Sequence, residues 1–204
     1  MGRVYCIEDA GELTLIDAGL ALAAPQVLDQ LRIWGKQPGD VKHILVTHAH
    51  SDHVGGLPAL KRATGAEVIC SATERAYTEG KEPTMLKGHK PGPTMPGTPV
   101  DRVVSEGELL DIFGGLEVIA CPGHSPGQIA FWQSRLGILI CGDAMLNALG
   151  LRLPLDPFTA DMAEARRSVA KLAQREARIA CFGHGPALMN GTAQKMRAFA
   201  ERVK

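Results

Sequence analysis

The sequence has no apolar run long enough to cross a lipid bilayer and no excess of either charge. Its 22 basic residues balance 22 acidic ones, so it exerts no net electrostatic attraction on nucleic acid or an anionic membrane. The first residues lack the apolar stretch of a signal peptide, and the five cysteines are scattered without CxxC spacing. We therefore expect a cytoplasmic protein with a small-molecule substrate and without nucleic-acid or membrane partners. The sequence leaves its oligomeric state open.

A length of 204 residues and an apolar share of 45% fit one globular domain over 1–204. Runs of strands with helices between them predict two mixed sheets covered by helices. The predicted strands are 4–8, 13–17, 44–46, 67–70, 102–105, 109–112, 116–120, 129–133, 137–141 and 178–182. The predicted helices are 25–34, 57–64, 73–78, 161–174 and 192–203.

Segment 80–99 interrupts these patterns with five prolines and four glycines. We interpret it as a flexible surface loop without regular structure. His89 lies inside it among three lysines. Because such loops often carry binding residues, we expect the loop and His89 to contribute to substrate selection.

The most informative segment is 48–53, His-Ala-His-Ser-Asp-His, which follows the apolar strand at 44–46. Imidazole and carboxylate are good ligands for zinc and similar divalent ions. Alternate residues of an extended chain point to the same side, so His48 and His50 can converge on one ion. Asp52 and His53 are neighbours that point apart and can reach a second ion.

Three further motifs place a metal-capable residue beside glycine after an apolar strand. They contain His124 in Gly-His-Ser-Pro-Gly, Asp143 in Cys-Gly-Asp, and His184 in Gly-His-Gly. Glycine permits the tight turns that such strand ends need. We interpret the cysteines as small buried hydrophobic residues, and Cys141 is not counted as a ligand.

In this order the motifs resemble those of the metallo-β-lactamase superfamily, as does Leu-Ile-Asp-Ala-Gly at 15–19. The resemblance implies an α+β fold, a four-layer αβ/βα sandwich of two mixed sheets. It implies two divalent metal ions, with zinc expected and iron or manganese as alternatives. Carried over residue by residue, it assigns His48, His50 and His124 to the first ion, Asp52, His53 and His184 to the second, and Asp143 as the bridge.

The activity implied is that of a binuclear hydrolase, in which a hydroxide shared by the two ions attacks an ester, thioester or lactone carbonyl. Asp52 would orient the nucleophile and move a proton, and Asp17 would fix a ligand imidazole from behind. The chain resembles the core of hydroxyacylglutathione hydrolases. We expect it to lack their helical glutathione-binding extension. The family usually has another strand before the equivalent of Val4, so either the fold is trimmed there or the protein begins earlier. β-Lactamase, iron-dependent oxidoreductase and phosphodiesterase activities remain as alternatives.

Overall fold

The computed structural model describes residues 2–204. Its strands in chain order are β1 (Tyr5–Asp9), β2 (Glu12–Ile16), β3 (Val41–Leu45), β4 (Glu67–Ser71), β5 (Pro83–Leu86), β6 (Lys90–Thr94), β7 (Arg102–Val104), β8 (Leu109–Leu110), β9 (Leu116–Ala120), β10 (Ile129–Gln133), β11 (Ile138–Ile140), β12 (Leu146–Asn147), β13 (Leu151–Arg152) and β14 (Ile179–Cys181). Its α-helices are α1 (Ala23–Ile33), α2 (Ser51–Val54), α3 (Leu57–Thr64), α4 (Arg75–Thr78), α5 (Met162–Leu172) and α6 (Thr192–Arg202). Short 3₁₀ turns cover 38–40, 87–89 and 156–158.

The chain packs into two compact units, of which the first comprises 2–84 and 93–104. Its sheet has the strand order β1-β2-β3-β4-β7. β1 pairs with β2 in the antiparallel sense, and β2, β3, β4 and β7 are parallel neighbours. Leu15, Ile44 and Ile69 on the central strands are fully buried. Because parallel strands end at the same edge of a sheet, the segments that leave β2, β3 and β4 begin side by side.

The second unit comprises 85–92 and 105–204. Its sheet has the order β14-β11-β10-β9-β8. β11 and β14 are parallel, and β10 runs antiparallel to both β9 and β11. β9, β11 and β14 therefore point the same way and end at the same edge. Side chains of α5 and α6, among them Val169 and Phe199, complete a buried cluster with this sheet. That residues 1–204 form a single domain remains a prediction from the sequence.

Most predicted strands and helices appear within one to three residues of their expected limits. The prediction that 80–99 lacks regular structure is wrong. β5 and β6 form a two-stranded sheet with the turn 87–89 between them. Pro91 and Pro93 alternate along β6. In that arrangement both missing N–H groups can lie on the side away from the partner strand, so a paired edge strand tolerates them.

None of the helices described for residues 2–204 is long and apolar enough to span a membrane.

Candidate metal centre

The first unit places the segment 46–50 directly after β3, between the ends of β2 and β4. The N–H of Val46 continues the strand pairing by donating to the carbonyl of Ile69, at 2.8 Å. The N–H of Thr47 then donates to Asp17 Oδ1, at 2.8 Å, and the N–H of Ala49 donates to Glu74 Oε2, also at 2.8 Å. Two carboxylates from the segments after β2 and β4 thus fix the backbone that carries the first two histidines.

Four of the predicted ligands come together on this segment and on the short helix α2. The ligand atoms of His48 lie within 4.8 Å of those of His50 and of His53, and those of Asp52 and His53 are equally close. The ring centroids of His48 and His50 are 4.8 Å apart, and those of His48 and His53 are 4.1 Å apart. His48 and His53 are fully buried, whereas the Asp52 side chain is 26% exposed.

Asp17 lies behind these histidines, where the sequence suggested an orienting carboxylate. The N–H group at His53 Nδ1 donates to Asp17 Oδ2 at 2.7 Å. The hydroxyl of Thr47 donates to the same oxygen at 2.8 Å. Asp17 has a φ of 60°, in the left-handed region that aspartate tolerates better than most residues. It is 2% exposed, and its carboxylate accepts three hydrogen bonds, from the N–H and the hydroxyl of Thr47 and from His53 Nδ1.

The hydrogen bonds assign the histidine tautomers. The Thr47 hydroxyl uses its proton on Asp17, so its oxygen can only accept from His48 Nδ1, 3.1 Å away. With Nδ1 protonated in both His48 and His53, the lone pair of each ring lies on Nε2, the nitrogen that can bind a metal. Metal-binding histidines usually donate their other N–H to such an oxygen. The donor set of the first unit therefore fits a divalent cation.

In the second unit, Asp143 and His184 follow the ends of two neighbouring parallel strands, β11 and β14, at equivalent positions. Ile140 of β11 pairs with Cys181 of β14, and each ligand follows three residues later. His184 Nε2 is 3.1 Å from Asp143 Oδ2. The glycine at 185 has a φ of 90°, and a Cβ there would lie 1.9 Å from the carbonyl oxygen of Asn147. Only glycine fits beside this ligand.

His124 reaches the same carboxylate from the end of β9. Its Nε2 is 3.6 Å from Asp143 Oδ2. Its Nδ1 is 3.3 Å from the hydroxyl of Thr159, which donates to the carbonyl of Leu155 and therefore accepts from the imidazole. His124 Nε2 then carries a lone pair that faces a carboxylate. A cation bound at these two atoms would relieve that repulsion, so this half of the ligand set also fits a metal.

The remaining expectations concern Cys141 and His89. Burial, with the neighbouring thiols of Cys121 and Cys181, raises the pKa of Cys141 well above its usual range. The exclusion of Cys141 from the ligand set stays a prediction. His89 is exposed in the turn 87–89. The N–H of Gly88 donates to the carbonyl of Ala160, whose own N–H donates to the carbonyl of His124. The turn is thus attached to the backbone of a candidate ligand.

Sequence reasoning missed three residues that orient the ligands: Thr47, Glu74 and Thr159. Thr47 precedes His48 directly, and its position was a usable signal. Glu74 and Thr159 lie 25 and 35 residues from the groups they contact, and no local pattern marks them.

Comparison with known proteins agrees with this geometry. The family model described as the metallo-beta-lactamase superfamily matches residues 1–184, a range that includes all seven candidate ligands. An uncharacterized protein of Bacillus subtilis, YobT, is 32% identical over 98% of this chain and 89% of its own length. A hydroxyacylglutathione hydrolase of Rhodobacter capsulatus is 29% identical over 87% of this chain, and this chain spans 61% of that enzyme.

Among solved structures, the metallo-β-lactamase MIM-1 of Novosphingobium pentaromativorans matches with a TM-score of 0.78. The match covers 99% of this chain and 81% of that one, at 25% identity. The fold is therefore that of the metallo-β-lactamases, and the predicted α+β class is confirmed.

Proposed function

We propose that this chain, which belongs to the metallo-β-lactamase superfamily, is a hydrolase. Its substrate would be a small carbonyl ester, thioester or lactone, and two bound divalent ions would assist the reaction. The observation that carries the proposal is the oriented donor set. In each unit, imidazole and carboxylate ligands follow strand ends at one edge of the sheet. His48, His53 and His124 donate from Nδ1 to Thr47, Asp17 and Thr159 respectively, which leaves the Nε2 lone pair of each imidazole for a metal.

In this proposal His48, His50 and His124 would hold one ion, Asp52, His53 and His184 would hold the other, and Asp143 would serve as a ligand to both. Zinc is the expected metal, because neutral imidazole and carboxylate ligands suit it. When bound, the ions supply Lewis acidity that lowers the pKa of water to near neutrality.

The two aspartates differ in access to solvent, and this divides their roles. The Asp143 side chain is 6% exposed and faces two imidazoles, which suits a ligand. The Asp52 side chain is 26% exposed, with Oδ2 4.0 Å from His53 Nε2. Asp52 can therefore meet both substrate and solvent. We assign it the orientation of the attacking water and the acceptance of its proton.

The substrate class is inferred from relatives and from chemistry. Several relatives are named hydroxyacylglutathione hydrolases, which supports an acyl-transfer reaction to water. This chain spans 61% of the length of one of those enzymes. We propose a small or carrier-bound acyl group as its substrate. β-Lactam hydrolysis is the second candidate, because solved structures with this fold include metallo-β-lactamases.

A substrate panel tests the proposal. The metal-loaded protein is assayed with a thioester, a lactone, a β-lactam and a phosphodiester under the same conditions. We expect the thioester or the lactone to give the highest kcat/KM. A β-lactam or phosphodiester cleaved orders of magnitude faster than both would overturn the substrate assignment.

A further inference from the structure

Glu74 is a fully buried carboxylate that the proposed reaction does not use. It lies between β4 and α4, and its own N–H donates to the hydroxyl of Ser71, at 3.2 Å. Burial raises the pKa of the Cys70 thiol to about 12, and Glu74 adds to that rise. A charged group is costly to bury unless it makes strong hydrogen bonds, so its contacts indicate why it is there.

One hydrogen bond of the Glu74 side chain is with the segment that bears the ligands. Glu74 Oε2 accepts the N–H of Ala49 at 2.8 Å. Ala49 stands between His48 and His50 and is itself fully buried. A carboxylate that accepts a backbone N–H makes a charge-assisted bond, about twice as strong as a neutral one. The bond fixes the peptide that sets the separation of two candidate ligands.

Glu74 is the counterpart of Asp17 on the other side of β3. Asp17 follows β2 and accepts the N–H of Thr47, and Glu74 follows β4 and accepts the N–H of Ala49. β3 lies between β2 and β4 in the sheet. The segment between Thr47 and Ala49 is therefore held from both neighbouring strands, and His48 is the residue enclosed by the two bonds.

We propose that Glu74 is a positioning residue for metal binding, which acts on His48 and His50 through the N–H of Ala49. This inference rests on the proposed function for the identity of the two ligands. Without an acceptor at Ala49 the two imidazoles would have to be ordered by the metal itself. Loss of such an orienting partner lowers metal affinity by about 10–100-fold.

Three substitutions of Glu74 separate the effect of its hydrogen bond to Ala49 from the effect of its charge. Glu74→Gln removes the charge but keeps an oxygen at the right reach for the N–H of Ala49. Glu74→Met keeps the volume and removes the acceptor. Glu74→Asp keeps the charge on a side chain one methylene shorter, and serves if the methionine variant does not fold. Glu79→Met is the matched control. Glu79 lies at the other end of α4, where it pairs with Arg75 and accepts the N–H of Val100.

Two measurements are made on the full chain. Zinc affinity is determined by chelator competition, and the exchange rate of the Ala49 amide is determined by NMR on the metal-depleted protein. We expect Glu74→Gln to stay within about threefold of wild type in zinc affinity, and Glu74→Met and Glu74→Asp to lose about 10–100-fold. In the same two variants the Ala49 amide should exchange faster. Glu79→Met should change neither quantity, even where it lowers the melting temperature.

The outcomes distinguish this inference from the function on which it rests. A wild-type protein that binds no zinc contradicts the proposed metal centre. If wild type binds zinc, then unchanged affinity and unchanged Ala49 exchange in Glu74→Met or Glu74→Asp overturn the role of Glu74. An equal loss of affinity in Glu79→Met would also overturn it, because the effect would then be one of general stability.

Discussion

Replacement of Asp17 by asparagine should impair metal binding through the tautomer of one histidine. Asp17 Oδ2 accepts from His53 Nδ1 at 2.7 Å, and Oδ1 accepts the N–H of Thr47 at 2.8 Å. Asparagine offers one acceptor and one donor in the same space. If its oxygen continues to accept from Thr47, its amide NH₂ faces His53 Nδ1. The imidazole must then accept at Nδ1 and carry its proton on Nε2, the nitrogen needed by the metal.

The expected magnitude follows from the bonds that change. A hydrogen bond to a charged group contributes about 1.5–3 kcal/mol, and a disturbed orienting partner lowers metal affinity by about 10–100-fold. At about 1.4 kcal/mol per factor of ten, the two estimates agree. Asparagine also tolerates the left-handed backbone at this position, where φ is 60°. Backbone strain therefore adds little, which makes Asp17→Asn a cleaner test than Asp17→Ala.

The assay combines zinc affinity by chelator competition with NMR assignment of the His53 tautomer in the metal-depleted protein. Asp101→Asn is a matched control, because Asp101 also accepts a backbone N–H, that of Val68, at 2.7 Å. The control should lower stability without changing zinc affinity. An Asp17→Asn variant that binds zinc as tightly as wild type, with His53 still protonated on Nδ1, would refute the reasoning.

Four further predictions concern the other parts of the molecule. Asp143→Ala should reduce turnover by more than about 100-fold, while circular dichroism shows that the fold is retained. This loss exceeds the one expected for a residue that only orients a metal ligand. Thr159→Val removes the acceptor for His124 Nδ1 and should lower zinc affinity by up to about tenfold, with rescue by Thr159→Ser; unchanged affinity in valine would refute the contact. Replacement of 85–92 by a short Gly-Ser linker should change the KM values of some substrates and leave the metal content unchanged. If every KM equals that of wild type, the segment has no role in substrate selection. Because burial and Glu74 raise the pKa of Cys70 to about 12, its thiol should react slowly with iodoacetamide at pH 8 in the native protein, and rapid labelling there would contradict its burial.

The candidate ligands can be named from the sequence because their signal is local. Each candidate ligand follows a short apolar strand, and strand ends in a parallel arrangement share an edge whatever the details of packing. Asp17 also has a local signal, since it stands at the end of an apolar strand, two residues before Gly19. The hydrogen bond to His53 shows the geometry that this expectation requires.

The residues that orient the ligands could not be predicted in the same way. Glu74 stands among polar residues at the start of a short helix, directly before Arg75. Such a pattern predicts an exposed side chain, whereas Glu74 is fully buried. Thr159 lies between a 3₁₀ turn and α5, where a threonine is unremarkable. Both act across 25 or more residues, so their roles depend on tertiary contacts that local patterns do not contain.

In segment 80–99, the prolines and glycines predict a surface loop without regular structure. The prediction is wrong for 83–86 and 90–94, which form strands. Pro91 and Pro93 instead lie two residues apart on β6, a spacing that a paired edge strand accepts. The ion pair of Lys87 with Asp156 and the bond from Gly88 to Ala160 then hold the turn in place.

The central claim is that the histidine and aspartate ligands of this chain bind two divalent ions. Elemental analysis of protein purified without chelator, and again after incubation with excess zinc and desalting, tests it most directly. We predict a stoichiometry that reaches two zinc ions per chain and falls in the Asp143→Ala variant. A value that stays at one ion or fewer per chain after zinc supplementation would contradict the binuclear centre.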